Sequence, residues 1–442
     1  MKILFVSLGC DKNLADTEMM LGMLLEKGYS FTDDEAEAQI VIVNTCCFIG
    51  DAKEESINTL LEMAQLKDSG QLKALIAAGC LAQRYKEEIR REIPQVDAVV
   101  GTMAIEEIAD ALEETLKGKP RDHYRDLNST PAAYRDRVVT TGGHFAYLKI
   151  AEGCNKRCTY CIIPKVRGAY RSIPMEELEA QAKILAERGV KELILVAQET
   201  TLYGVDLYGK KTLPELLGRL ARISGIYWIR VLYCYPEEIT EELIETIAAE
   251  PKVCHYLDIP IQHASDNILK RMGRRTNEEE LRRRIGMLRE RIPDICLRTT
   301  LISGFPGETQ EDFEELYRFV NEMEFDRLGV FPYSQEEDTA AAEMPDQIEE
   351  SVKENRRDEL MELQQEIVFE KAQDMIGRIL TVMVEGKVAD EDVYVTRTYR
   401  DAPNVDGYLF LNTTANLMTG DFVKVLVTDA NEYDLIGEVY NE

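Results

Sequence analysis

The amino-acid sequence predicts a multidomain α/β protein: an amino-terminal parallel α/β sheet domain, a partial TIM-like (β/α)6 barrel, and a small antiparallel, OB-like β-barrel at the carboxyl end. Three patterns carry this reading. Short apolar runs alternate with amphipathic helical runs over residues 1–120, six further strand candidates alternate with helices over 144–345, and residues 376–442 alternate apolar and polar side chains between turn formers. Strand–helix alternation marks a parallel sheet, whereas a two-residue period between turns marks antiparallel ribbon.

In the first domain KILFVSL, QIVIVNT and KALIAAG read as strands and NLADTEMMLGMLLEKG as a helix. Cys10, Cys46 and Cys80 each fall within two residues of the end of one of those strands. Carboxyl ends of parallel strands lie along one edge, where open α/β sheets hold their ligands, so three cysteines distant in sequence are expected to share one site. Cys47 adjoins Cys46 and is an alternative donor.

Residues 121–143 are polar, aperiodic and contain turn formers, as a linker would. Beyond them FAYLKIA, ELILVAQ, YWIRVLY, CHYLDIP, CLRTTLI and RLGVFPY supply six strands, with helices such as PMEELEAQAKILAERG and TQEDFEELYRFVNEME between them. In such barrels chemistry collects at the carboxyl ends of the strands. The first of these strands leads into EGCNKRCTYC, where Cys154, Cys158 and Cys161 are spaced four and then three apart. Thiolates are the usual ligands of iron–sulfur clusters, and three of them leave one iron of a four-iron cubane free to hold a substrate or cofactor. A structural zinc site is the alternative. It normally closes its shell with a fourth Cys or His, often through paired CxxC elements, and no second pair stands nearby.

Residues 346–375 are charged and helical in character, a connector to the final module, where RILTVMVEGKV, YVTRTY, GYLFLN and DFVKVLVTDA read as strands. Between Ile376 and Glu442 stand 5 basic and 12 acidic side chains, a net charge of −7, so the basic stripe of a nucleic-acid-binding barrel is missing. The whole chain of 442 residues carries 52 basic and 81 acidic side chains, and its net charge of −29 repels polyanions and attracts basic partners. A hydrophobic content of 45% is enough to give each domain a core. Ten scattered cysteines, in a chain whose first apolar run is too short for a secretory signal, fit a reducing cytosol. No apolar stretch approaches the ~20 residues needed to cross a bilayer, so a soluble, cytoplasmic protein is expected.

The CxxxCxxC run, with Tyr160 before its third cysteine, resembles the radical S-adenosylmethionine (SAM) superfamily. The segments SLGCDKNLADTE (Ser7 to Glu18), NTCCFIGDAKEES (Asn44 to Ser56) and AAGCLAQRY (Ala77 to Tyr85) resemble the amino-terminal domain of the methylthiotransferase family, in wording similar to its ribosomal-protein branch. The resemblance extends over essentially the whole chain, through AQETTLYG, YLDIPIQHAS, RMGRRT and TTLISGFPGET to a final module placed like the family's TRAM domain. Cys47 stands where that branch usually has glycine and Asp11 where it has proline, which aligns the ligand with Cys46.

This resemblance implies two 4Fe-4S clusters. One, on Cys154, Cys158 and Cys161, binds SAM at its open iron and cleaves it to a 5′-deoxyadenosyl radical; the other, on Cys10, Cys46 and Cys80, carries sulfur that accepts a methyl group from a second SAM. Further SAM contacts follow from the strand-end loops: Tyr160, Ile162, Ile163 and Pro164 for adenine, Gln198 and Glu199 for the amine or ribose hydroxyls, Arg230 for the carboxylate, and Ser303, Gly304 and Gly307 for close backbone approach to the adenosine. Glu199 stands where the family more often has Asp. No catalytic residue is assigned beyond the cluster ligands, and His263, Tyr233, Tyr235 and Tyr333 read as structural residues near strand ends.

The implied reaction is methylthiolation of the β-carbon of an aspartate in a basic small-subunit ribosomal protein, docked through the acidic TRAM module and driven by an electron donor such as a flavodoxin or ferredoxin. Methylthiolation of a tRNA adenosine is the alternative; relatives of that kind resemble TYGCQMN or TLGCKVN at the start and benefit from positive charge against phosphate. Two readings of another class are a non-catalytic iron–sulfur electron carrier and an adaptor that docks on a ribosomal protein.

Overall fold

The protein is described by a computed structural model covering residues 1–131 and 136–441; residues 132–135 of the expected linker and residue 442 of the expected final module lie outside the described residues. The amino-terminal domain runs β1 (Lys2–Ser7), α1 (Asp11–Glu26), β2 (Ser30–Phe31), β3 (Ile40–Thr45), α2 (Gly50–Asp68), β4 (Ala74–Gly79), α3 (Cys80–Tyr85), α4 (Glu87–Glu92), β5 (Ala98–Val100) and α5 (Ile108–Leu116). Its sheet has the order β2-β1-β3-β4-β5, parallel at every pairing. Strands β3 and β4 are buried along their whole length, which explains why they read as unbroken apolar runs. Met20, Leu24 and Leu112 cover one face of the sheet, and Leu60, Met63 and Leu81 the other.

The middle domain runs β6 (Phe145–Lys149), β7 (Ala151–Glu152), α6 (Ile163–Arg167), β8 (Arg171–Ser172), α7 (Met175–Glu187), β9 (Glu192–Val196), α8 (Val205–Tyr208), α9 (Leu213–Ala221), β10 (Trp228–Val231), α10 (Glu241–Ala249), β11 (Val253–Asp258), α11 (Asp266–Arg271), α12 (Glu278–Arg291), β12 (Cys296–Ser303), α13 (Gln310–Met323) and β13 (Arg327–Pro332). Six parallel strands stand in the order β13-β12-β11-β10-β9-β6, so β6 and β13 are the two edges of a barrel that stays open. Local chemistry sets the helix boundaries. Thr309 and Asp312, for example, cap the start of α13 reciprocally.

Helix α14 (Glu350–Gln373) is the expected connector, and its Leu360, Leu363 and Ile367 complete the core of the middle domain. The last module closes into a barrel from β14 (Ile379–Lys387), β15 (Val393–Thr398), β16 (Leu409–Asn412), β17 (Phe422–Asn431) and β18 (Asp434–Val439), in the order β14-β15-β16-β18-β17. The expected four antiparallel strands are present, but a fifth, β18, closes the barrel and runs parallel to β16. Its run DLIGEV is short and broken by Gly437, which hides the two-residue period.

The two flanking modules grip opposite mouths of the partial barrel. At the strand ends, Gly50 N–H donates to Ser334 Oγ at 3.0 Å and Arg84 reaches Glu336 at 3.0 Å. At the strand starts, Arg327 meets Asp401 at 2.6 Å, and the Tyr256 hydroxyl donates to Asp406 at 2.7 Å. Among the described residues no helix is long and apolar enough to cross a membrane.

Candidate cluster-binding site

Cys46 and Cys80 follow directly on β3 and β4, and Cys10 occupies the cap position of α1, three residues past β1. Because β1, β3 and β4 are adjacent, the three thiols meet at one edge of the sheet. Gly9 has φ +85°, and a Cβ there would lie 2.6 Å from Cys46 Cβ, so only glycine lets the Cys10 loop approach this closely. Burial pushes the Cys46 and Cys80 thiols up, and the neighbouring cysteine charges push them further. Thiols of this kind give up their proton when a metal takes the sulfur. Cys47 packs in the apolar cluster of Leu60, Leu81 and Ile162 beside Arg84, where burial pushes it up to about 12.

Cys154, Cys158 and Cys161 lie between β7 and α6, at the strand-end mouth of the barrel. Lys156 N–H donates to Cys154 Sγ at 3.4 Å, and the Tyr235 hydroxyl lies 3.6 Å from Cys158 Sγ. Burial, with the charges of Glu199 and Cys158, pushes Cys154 up to about 11, and burial raises Cys161 further still. Glu199 is fully buried beside this triad. Its Oε1 accepts from the Thr201 N–H at 3.1 Å and from the Thr201 hydroxyl, while its Oε2 has no partner. Burial holds its carboxyl up at about 8. Gln198 Nε2 donates to Glu152 at 3.1 Å and leaves its own Oε1 without a donor. Two buried, unpartnered oxygens are the complement of an ammonium group.

Helix α6 stands between the two triads. It begins two residues after Cys161, and Ile162 and Val166 are buried in the core of the amino-terminal domain. Its last residue, Arg167, is fully buried and donates to Asp16 at 2.7 Å, Asn13 at 2.5 Å, Glu152 at 3.2 Å and Cys80 Sγ at 3.4 Å. Lys149 joins the network through Asp16 and Glu152. From the barrel, Tyr233 reaches across to Asp11 at 3.2 Å. None of Arg167, Asp16, Asn13 or Glu152 was singled out from the sequence; the one signal was an arginine ending the largely apolar segment IIPKVR.

Several expected SAM contacts are placed differently. Arg230 is spent elsewhere: fully buried, it donates to Glu192 at 2.8 Å and to the carbonyl of Tyr399 at 2.6 Å, at the mouth remote from the cysteines. The expected adenine patch is divided, because Ile163 packs with the amino-terminal domain while Tyr160 meets Phe305 edge-on at 6.3 Å. Ser303 donates to the carbonyl of Lys353 at 2.9 Å, and what approaches Gly304 is the Lys353 side chain, 2.2 Å from where a Cβ would stand. His263 is a buried structural residue, its Nδ1 accepting from Ser265 N–H at 2.9 Å and its Nε2 lying 3.4 Å from Glu308.

Among the described residues no three Cys, His, Asp or Glu side chains converge on a position for one ion. A cubane asks for something else: each thiolate takes its own iron, so donors stand around a group rather than on a point. Three thiols on each side of α6 are the donor set of a cubane with one open iron, whereas a structural zinc site closes its shell with a fourth Cys or His.

Residues 2–101 match the Uncharacterized protein family UPF0004, residues 148–320 the Radical SAM superfamily and residues 376–439 the TRAM domain. The chain is 62% identical to the ribosomal protein uS12 methylthiotransferase RimO of Lachnoclostridium phytofermentans, over 99% of each chain. It is 52% identical to that of Acetivibrio thermocellus, over 100% of this chain and 99% of the other. Among solved structures, the radical S-adenosylmethionine methyltransferase TsrM from Kitasatospora setae, with cobalamin and a [4Fe-4S] cluster bound, superposes with a TM-score of 0.54 at 12% identity over 75% of this chain and 74% of that one, a likeness of fold alone. With all three modules in place and identity sustained from end to end, the chain belongs to the RimO family of radical SAM methylthiotransferases.

Proposed function

We propose that the protein methylthiolates ribosomal protein uS12, at the β-carbon of one aspartate, using SAM and two 4Fe-4S clusters. The observation that carries this is the meeting of two thiol triads on either side of α6. Cys154, Cys158 and Cys161 hold the cluster that binds SAM, and Cys10, Cys46 and Cys80 hold the one that carries sulfur. When bound, these groups supply a carbon-centred radical and a methylated sulfur.

The chain's own residues bind, orient and exclude water. The free oxygens of Glu199 and Gln198 take the SAM ammonium, and binding it makes the ionised form of Glu199 favourable despite its burial. Tyr160, set against Phe305, offers an apolar wall to the nucleoside. Arg167 fixes the Cys80 side of the site to the barrel. The substrate aspartate enters where the barrel's strand ends face the amino-terminal domain. The TRAM module grips the opposite mouth, so its net charge of −7 acts in steering and retaining the basic ribosomal protein rather than inside the cavity. An electron donor such as a flavodoxin or ferredoxin fits this chemistry, and a ribosomal substrate fits work in the cytoplasm.

Anaerobic reconstitution, followed by incubation with dithionite, SAM and either uS12 or tRNA, tests the proposal. The expected products are 5′-deoxyadenosine and a methylthio group on one uS12 aspartate, read by mass spectrometry. Modification of tRNA in place of uS12, or iron without SAM cleavage, would overturn it.

A further inference from the structure

Among the described residues nine Lys and Arg side chains are buried, and eight of them have a carboxylate oxygen no more than 3.9 Å away. The ninth is Lys12. It is 7% exposed and makes no ion pair with any described residue. Its ammonium stands 3.2 Å from the centroid of the Tyr233 ring, a contact that replaces only part of what a counter-charge would give. Asp258 feels the Lys12 charge only from beyond ion-pair distance, and burying an ammonium without an ion pair is costly, so a fold that keeps one has a use for it.

The surroundings of Lys12 say where that use lies. It follows Cys10 by two positions on α1, and Tyr233 comes from the strand-end mouth of the barrel. Tyr233 holds φ +60°, a strained conformation for an aromatic residue, and is pinned there by its N–H on Asp258 at 3.0 Å and its hydroxyl on Asp11 at 3.2 Å. The acids facing this point are therefore engaged: Asp11 holds the Tyr233 hydroxyl, and Asp258 lies 3.9 Å from Arg298 besides holding the Tyr233 N–H. Neither acid forms an ion pair with Lys12, which leaves its ammonium open to an anion.

We propose that Lys12 is a specificity residue that pairs with the side-chain carboxylate of the substrate aspartate. The inference rests on the function proposed above. The carboxylate is bonded directly to the β-carbon, so holding it fixes the reacting carbon one bond away, and a neutral amide in its place forfeits the ion pair.

The test uses labelled peptides carrying the target aspartate of uS12 and its surroundings, or asparagine in its place, titrated anaerobically against the reconstituted full-length enzyme by fluorescence anisotropy. The wild-type enzyme should prefer the aspartate peptide by about 10- to 100-fold, the range of a charge-assisted hydrogen bond. K12Q should bind both peptides alike and K12R should keep part of the preference, with iron content and a circular-dichroism melt verifying that each variant is folded and loaded. A K12Q enzyme that still discriminates overturns the inference, as does a wild-type enzyme that binds both peptides equally, a measurement needing no variant. If the wild type binds neither peptide nor intact uS12, the proposed function itself falls, and the role of Lys12 with it.

Discussion

Arg167, from the barrel domain, donates to Cys80 Sγ of the amino-terminal domain at 3.4 Å. The same guanidinium answers two buried carboxylates, Asp16 and Glu152, and its charge pulls the Cys80 thiol down against the upward push of burial. An arginine presents several N–H groups in a rigid fork, so one side chain can serve a sulfur, an amide and two acids at once.

Replacing Arg167 with Gln should therefore act on stability and on iron together. Breaking a buried ion pair from one side costs roughly 3–5 kcal/mol, seen as a lower urea midpoint. Iron per chain should fall from about eight towards about four, because the amino-terminal triad loses its support while the barrel triad does not. R167K, which keeps charge but not the fork, should recover only part of both. Unchanged iron in R167Q would remove Arg167 from the site.

Cys46 and Cys47 give opposite outcomes. C46A should reduce iron from about eight to about four per chain, and C47A should leave the count near eight. C47A opens a small gap in the cluster of Leu60 and Leu81, so its effect belongs to the unfolding midpoint, at about 1 kcal/mol. A colorimetric iron assay on both variants decides it.

Glu199 makes stability depend on pH in the apo protein. Its carboxyl sits at about 8 rather than its ordinary 4.5, so the folded state binds the proton more tightly than the unfolded one. The stability this group contributes is complete below 4.5 and is lost as pH rises through 8. E199Q carries no such proton. Measured by urea unfolding, its advantage over the apo wild type should grow steadily across that window; a constant difference would remove Glu199 as the source.

Glu192 bridges Arg230 at 2.8 Å and Arg397 of the TRAM barrel at 2.7 Å, with all three side chains fully buried. E192Q leaves two guanidiniums sharing a neutral amide, at a cost of roughly 3–5 kcal/mol. Limited proteolysis should then cut faster between α14 and β14, at residues 374–378, while SAM binding by the folded fraction persists, since Arg230 is engaged at the remote mouth.

The architecture was legible wherever one element carries its own signal. Strands buried on both faces, such as β3, β4 and β9, read as apolar runs, and Cys154, Cys158 and Cys161 declare themselves by spacing. Strand β18 did not, because Gly437 interrupts a short run. Arg230 was misplaced for a different reason: a charge inside a barrel strand points to the interior without saying which mouth it serves, and its partner carbonyl at Tyr399 lies 169 positions away. Arg167 was invisible likewise, its partner Asp16 being 151 positions earlier. Periodicity reports on neighbours along the chain, and each of these arginines also reaches a partner that only domain docking brings near.

The five residues of α6 extend about 7.5 Å, with Val166 in the apolar core of the amino-terminal domain and Arg167 in a four-way polar grip. The helix serves as a fixed gauge. The separation of the two triads is thus set by how this helix packs between the domains, before any substrate arrives.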